Sequence, residues 1–180
     1  MVEGLTADLE DRVVHSDLDG AIRATVPQDS HLNDSVLYHE SFWIALPGQH
    51  HLANRDAVDV ADLADEELLL LADGHCLRDQ VLDACSSVTG SHNANTRDTS
   101  METLLALVAA GDGVTLVPAL ARASGGRTTS TFVTRPEASR TAGRMVRLVC
   151  CASFPRADLV RRLTNIICAS VPKEIVKVSN

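Results

Sequence analysis

Apolar residues along this chain switch repeatedly between two rhythms: the three-and-four spacing of a helix, and short unbroken runs. Residues 6–17 place Leu9 and Val13 on one helical face and carry acidic residues in the early turns, which predicts a helix. Residues 18–24 read as a short buried strand and the polar stretch 27–35 as a loop. Residues 36–46 are rich in apolar and aromatic side chains and end at Pro47-Gly48, so they are expected to be extended. A short helix over 60–65 and a strand over 67–71 follow, and Asp73-Gly74 breaks that strand. Residues 76–84 carry Leu77, Val81 and Leu82 at helical spacing, and the Ser, Asn and Gly of 86–95 predict a loop.

The second half continues the alternation. Thr99-Ser100-Met101-Glu102 has the form of a capping box, a hydroxyl with a carboxylate three residues on. The helix it opens is expected to reach Ala110 and stop at Gly111. Residues 114–117 predict a strand ended by Pro118, and 122–130 are polar and Gly-rich. Residues 144–152 alternate as a strand does. Ser153 and Pro155 then open a last amphipathic helix to about Val171, with Leu159, Leu163, Ile166 and Ile167 expected to face inward. Strands and helices in alternation define an α/β fold.

Composition narrows the class. At 180 residues the chain suits one ordinary domain or two small lobes. It is 45% hydrophobic but only 3% aromatic, so its core must be aliphatic. The formal charge of −8 lacks the basic footprint of a nucleic-acid surface, so no DNA-binding element is expected within these residues. Five cysteines, an odd number at irregular spacing, do not form a secreted disulfide framework. The first residues lack a basic and apolar leader, and the longest apolar run, 68–72, is too short to span a bilayer. A reducing, cytoplasmic setting is therefore expected, where a reactive thiol is more often catalytic or redox-sensing than structural.

The chemistry concentrates at Cys76. His75 and Arg78 flank it at the predicted start of a helix, a setting that favours the thiolate, while a small, inert buried thiol at a helix start is the competing reading. Cys85 lies nine positions on. Along one helix that spacing is roughly 13 Å, whereas a disulfide needs Cα atoms within about 7 Å. The two can bond only if the segment between them refolds. Cys76, Cys85, His75 and His92 lack zinc-ligand spacing, so no metal is expected. Cys150 and Cys151, adjacent on a strand, point to opposite faces and read as structural. His50-His51 reads as a pair of solvated turn histidines. Gly111 and Gly113 lack the third glycine of a dinucleotide fingerprint. Thr6 and the Thr99-Ser100 pair are expected at helix starts, where capping is their ordinary role.

Gly74-His75-Cys76-Leu77-Arg78-Asp79-Gln80, with Cys85 after it, resembles the peroxide-sensing motif of the OxyR family, the hydrogen-peroxide-responsive branch of the LysR-type transcriptional regulators. Thr99 to Leu104 and Val108 to Leu120 resemble the helix and strand that follow in LysR regulators generally, and the resemblance runs from about residue 6 to 167. It implies two α/β lobes like those of periplasmic binding proteins, joined by two crossing strands. Lobe one would comprise 1–40 and 141–172, lobe two 41–140 with the redox cysteines, and 173–180 a tail. Cys76 would be the peroxidatic and Cys85 the resolving cysteine, with Thr6, Gly74, His75, Leu77, Arg78, Asp79 and Arg144 around the peroxide.

The resemblance implies a regulator rather than an enzyme, without cofactor, membrane or metal. Its partners would be hydrogen peroxide, a cellular thiol reductant, and its own copies in a dimer or tetramer. DNA would be reached only through an N-terminal domain absent from these residues, and lobe one would lack its first elements. Asn95 stands where many relatives carry histidine, with His92 close by. A redox-silent effector-binding domain of the LysR class is the main alternative, with a ligand near Thr6 and Ser100 and an inert Cys76. A thiol peroxidase using the same cysteines is a third.

Overall fold

The computed structural model describes residues 2–86, 100–124 and 131–172. Five helices and five strands are present among them: α1 Thr6–Val14, β1 Ala21–Arg23, β2 Leu32–Pro47, α2 Cys76–Cys85, α3 Met101–Ala110, β3 Thr115–Pro118, α4 Ala119–Ser124, β4 Phe132–Pro136, β5 Gly143–Cys151 and α5 Ala157–Ser170. A short 3-10 helix spans Val60–Leu63. The chain divides into two compact units, Met1–Glu40 with Arg144–Asn180, and Ser41–Gly143.

In the first unit β1 pairs antiparallel with β5, Ala21 opposite Val149 and Ile22 opposite Leu148. Val13, Leu32 and Val149 form one small core cluster, and Leu37, Tyr38, Val146 and Leu148 of this unit are buried as well. Helix α1 ends three residues before the expected limit. Ser16 turns to φ 64, and the Asp17 and Ser16 amides reach back to Arg12 and Val13 at 2.8 and 3.1 Å. This is a Schellman closure built without glycine, so the sequence carries no stop signal there. Helix α5 departs further from expectation. None of its residues is fully buried, and Leu159, Leu163 and Ile166 are 44%, 43% and 62% exposed. Among the described residues its apolar stripe is only partly covered. Leu159 and Leu163, with Leu9, Leu18, Ile22 and Leu148, line an apolar groove of about 400 Å³.

In the second unit β3 and β4 flank the C-terminal half of β2, both antiparallel, with Ile44 opposite Leu116 and Arg135. The four strand residues Phe42, Ile44, Ala45 and Leu46 are all fully buried and pack with Leu104, Val108 and Leu116. Strand β4 carries too few apolar residues to show in the sequence; pairing with β2 makes it a strand. The expected strand at 67–71 forms no named strand, only a bridge from Leu68 to Val114. Leu68, Leu69, Leu70 and Leu71 are nevertheless all buried, and Leu69 donates to Val114 O at 2.8 Å. Gly113 permits this approach: a Cβ there would stand 2.5 Å from the Glu67 carbonyl oxygen.

The expected helix over 60–65 is the 3-10 turn alone. Residues 122–124, read as part of a polar stretch, belong to α4. The loop expected at 86–95 lies outside the described residues except for Ser86. Among the described residues no helix is long and apolar enough to cross a membrane.

Candidate functional site

The buried run 68–71 delivers the chain to Asp73-Gly74, and the turn there sets up α2. Gly74 adopts φ +91 with open space around it, so conformation and not crowding selects glycine. His75 is the N-cap, in an extended conformation and without a side-chain capping bond. Helix α2 then begins at Cys76. Leu77, Val81 and Cys85 recur at i, i+4 and i+8, and all three are buried, so they are the face that meets the core. Cys76 lies one position off that face and is half-buried. Cys85 is fully buried, and burial pushes its thiol up to about 11. Neither cysteine is in a disulfide. They occupy the first and last positions of a ten-residue helix, so the obstacle to bonding expected from their spacing is present in the fold.

Arg78 turns back along the chain. Its Nη1 donates to the Leu71 carbonyl oxygen at 3.0 Å, and its Nε pairs with Asp73 at 2.8 Å. It thereby clamps the turn that carries His75 and Cys76. Asp79 is exposed in the first turn of α2, where a carboxylate complements the helix dipole. Thus Gly74, His75, Cys76, Leu77, Arg78 and Asp79 share one turn and one helix start.

Thr6 and Arg144 lie in the first unit. Thr6 is the first residue of α1 and not its cap; Leu5 occupies the N-cap position and contributes no side-chain bond. At α3 the cap is Ser100, which accepts the Thr103 N–H at 3.3 Å. The cap expected at Thr99 is thus the next residue, Ser100, and Thr99 lies outside the described residues. His92 and Asn95 lie outside them too. Arg144 Nε donates to Glu40 at 2.8 Å, and Glu40 is fully buried. Sequence reasoning missed Glu40, although a lone carboxylate within the apolar stretch 36–46 was the available signal. Tyr38 nearby has its phenol pushed up by burial and by the Glu40 charge, against the opposing pull of Arg144.

Cys150 is buried and Cys151 half-buried on β5. Ser153 hydrogen bonds hold the Cys151 thiol below its ordinary range. The reading of His50-His51 as solvated needs correction. The His50 side chain is only 13% exposed, and its Nε2 lies 3.1 Å from Glu66.

Residues 1–169 match the LysR substrate-binding domain, and the chain belongs to that family. Within it the similarity is to OxyR. Escherichia coli relatives described as the DNA-binding transcriptional dual regulator OxyR and as a hydrogen peroxide-inducible genes activator are 45% identical over 104 residues, 58% of this chain and 34% of theirs. The chain thus spans about a third of those relatives' length. A solved structure of the reduced form of OxyR superposes with a TM-score of 0.80 at 36% identity, covering 93% of this chain and 78% of that one. An oxidized form, with the same identity and coverage, superposes at 0.75. The present conformation, with Cys76 and Cys85 apart, is nearer the reduced structure.

Proposed function

We propose that this chain is the peroxide-sensing part of an OxyR-type LysR regulator, switching through Cys76 and Cys85. The observation that carries the proposal is their placement at opposite ends of α2, one half-exposed and one fully buried. The Cys76 thiolate attacks one oxygen of hydrogen peroxide. The O–O bond breaks, hydroxide leaves and is protonated to water, and Cys76 becomes a sulfenic acid. The Cys85 thiolate then attacks the Cys76 sulfur, forming the S–S bond and releasing a second hydroxide that becomes water. About 13 Å of helix axis lies between the two positions, so α2 unwinds and Cys85 leaves the core before the bond closes. A cellular dithiol reverses the step by thiol–disulfide exchange.

Gly74, His75, Leu77, Arg78 and Asp79 shape the approach to Cys76. Support for Thr6 and Arg144 as peroxide-binding residues is the family resemblance; Arg144 here is held by Glu40. In this reading the two compact units are the regulatory lobes, and the protein works in the cytoplasm as a homo-oligomer. It contacts DNA through a segment other than these residues. It makes one disulfide per reduction cycle and does not turn over.

The test is peroxide titration followed by mass-spectrometric disulfide mapping. One Cys76–Cys85 linkage per chain is expected, absent in Cys76→Ser. Oxidised Cys76 without any linkage to Cys85 would refute the two-cysteine switch, and an unreactive Cys76 would favour the redox-silent effector domain.

A further inference from the structure

Away from α2, three side chains of the second unit converge from two turns. His50 and His51 follow the end of β2, and Glu66 follows the Val60–Leu63 turn. His50 Nε2 lies 3.1 Å from one carboxylate oxygen of Glu66 and His51 Nδ1 3.8 Å from the other. The three donor atoms all fall within 4.8 Å of one another. His50 and Glu66 are largely buried at 13% and 22% exposure, whereas His51 is 68% exposed. Two donors are thus held by the fold and the third faces the solvent from which an ion arrives.

We propose that His50, His51 and Glu66 bind one divalent transition-metal ion, with zinc the first candidate. Bonds of ~2.0–2.1 Å in a tetrahedral shell set donors about 3.3 Å apart; the three donor atoms lie within 4.8 Å of one another, so a small inward shift of the exposed His51 would close the set. Two imidazoles and one carboxylate suit zinc or its first-row neighbours, while calcium and magnesium prefer oxygen shells. Three protein ligands leave a fourth position for water.

The surroundings of His50 set a condition. The Leu52 amide donates to His50 Nδ1 at 3.3 Å, an arrangement that suits the tautomer with its proton on Nε2, facing Glu66. A metal at Nε2 displaces that proton to Nδ1, and the long Leu52 contact opens. A bound ion would join the turn after β2 to the turn that leads, through the buried run 68–71, into α2. This site is independent of the peroxide chemistry proposed for Cys76.

The test is calorimetric titration of the whole chain with zinc in a non-chelating phosphine reductant, together with cobalt absorption spectra. One equivalent is expected, with cobalt bands free of thiolate charge transfer. His51→Ala and Glu66→Gln should each weaken binding by at least the roughly 10- to 100-fold that loss of even an outer-shell partner costs. His51 is exposed, so His51→Ala tests the site with the fold intact, as circular dichroism would verify. No stoichiometric binding, binding unchanged in both variants, or a thiolate charge-transfer band would each overturn the site.

Discussion

The Cys85 thiol would tie stability to the proposed switch through its burial. Burial raises its pKa to about 11, against about 8.5 for a thiol in an unfolded chain. Folding therefore favours the protonated form. A raised folded-state pKa contributes stability that is complete below the unfolded value and is lost as pH rises through the folded one. Wild-type unfolding free energy should accordingly decline between about pH 9 and 11, and the gap between wild type and Cys85→Ala should narrow over that window. Urea titrations at stepped pH measure both. Curves that stay parallel through pH 11 would show that the thiol is not buried as described. Cys76 and Cys85 were both legible as residues, since the motif and the spacing name them. The burial that separates them chemically was not, because it depends on which helical face meets the core of the second unit. Glu40 and Glu66 were hidden for the same reason: their partners, Arg144 and His50, are 104 and 16 positions away.

Among the elements, α2 carries the proposed switch, and its C-terminal turn is its weak point. Asp83 is exposed near the C-terminal end, and no basic residue occupies the last turn. A carboxylate there opposes the helix dipole, at a cost of roughly 0.3–1 kcal/mol, and Asp has a lower helix propensity than Ala by a further ~0.5 kcal/mol. Asp83→Ala should therefore make unwinding about fivefold rarer, by roughly 1 kcal/mol. Disulfide closure after a peroxide pulse should slow by a similar factor. Quenched time points read by mass spectrometry measure it; closure at the wild-type rate would mean that α2 does not have to open first. Elements with strong local signals, such as α2 and α3 with its Gly111 stop, were legible in the sequence. Strand β4 was not, since pairing with β2 defines it more than its own composition does, and the run 68–71, legible as extended, forms only a bridge to Val114 and no full strand.

On the scale of the whole molecule, apolar burial is uneven. The second unit has a continuous core reaching from Phe42 through Leu104 to Leu116, while the described first unit buries fewer apolar side chains, among them Val13, Leu32, Leu37, Val146, Leu148 and Val149. Leu104→Ala should cost about 2–5 kcal/mol in denaturant unfolding, the range for truncating a buried leucine. Ile166→Lys, on the exposed stripe of α5, should change stability by less than ~0.5 kcal/mol. A large loss from Ile166→Lys would mean that α5 is buried against something in solution.

The sequence by itself determined the α/β alternation, the helix that begins at Cys76, and the distance that keeps Cys76 and Cys85 from bonding while that helix persists. These are local properties, set by residue spacing and turn chemistry within a few positions. Only the tertiary structure decided that Cys85 is buried, that Arg78 clamps the Leu71–Asp73 turn, that Glu40 meets Arg144, and that His50, His51 and Glu66 converge. Each of these depends on faces and turns brought together by packing, which local spacing does not encode.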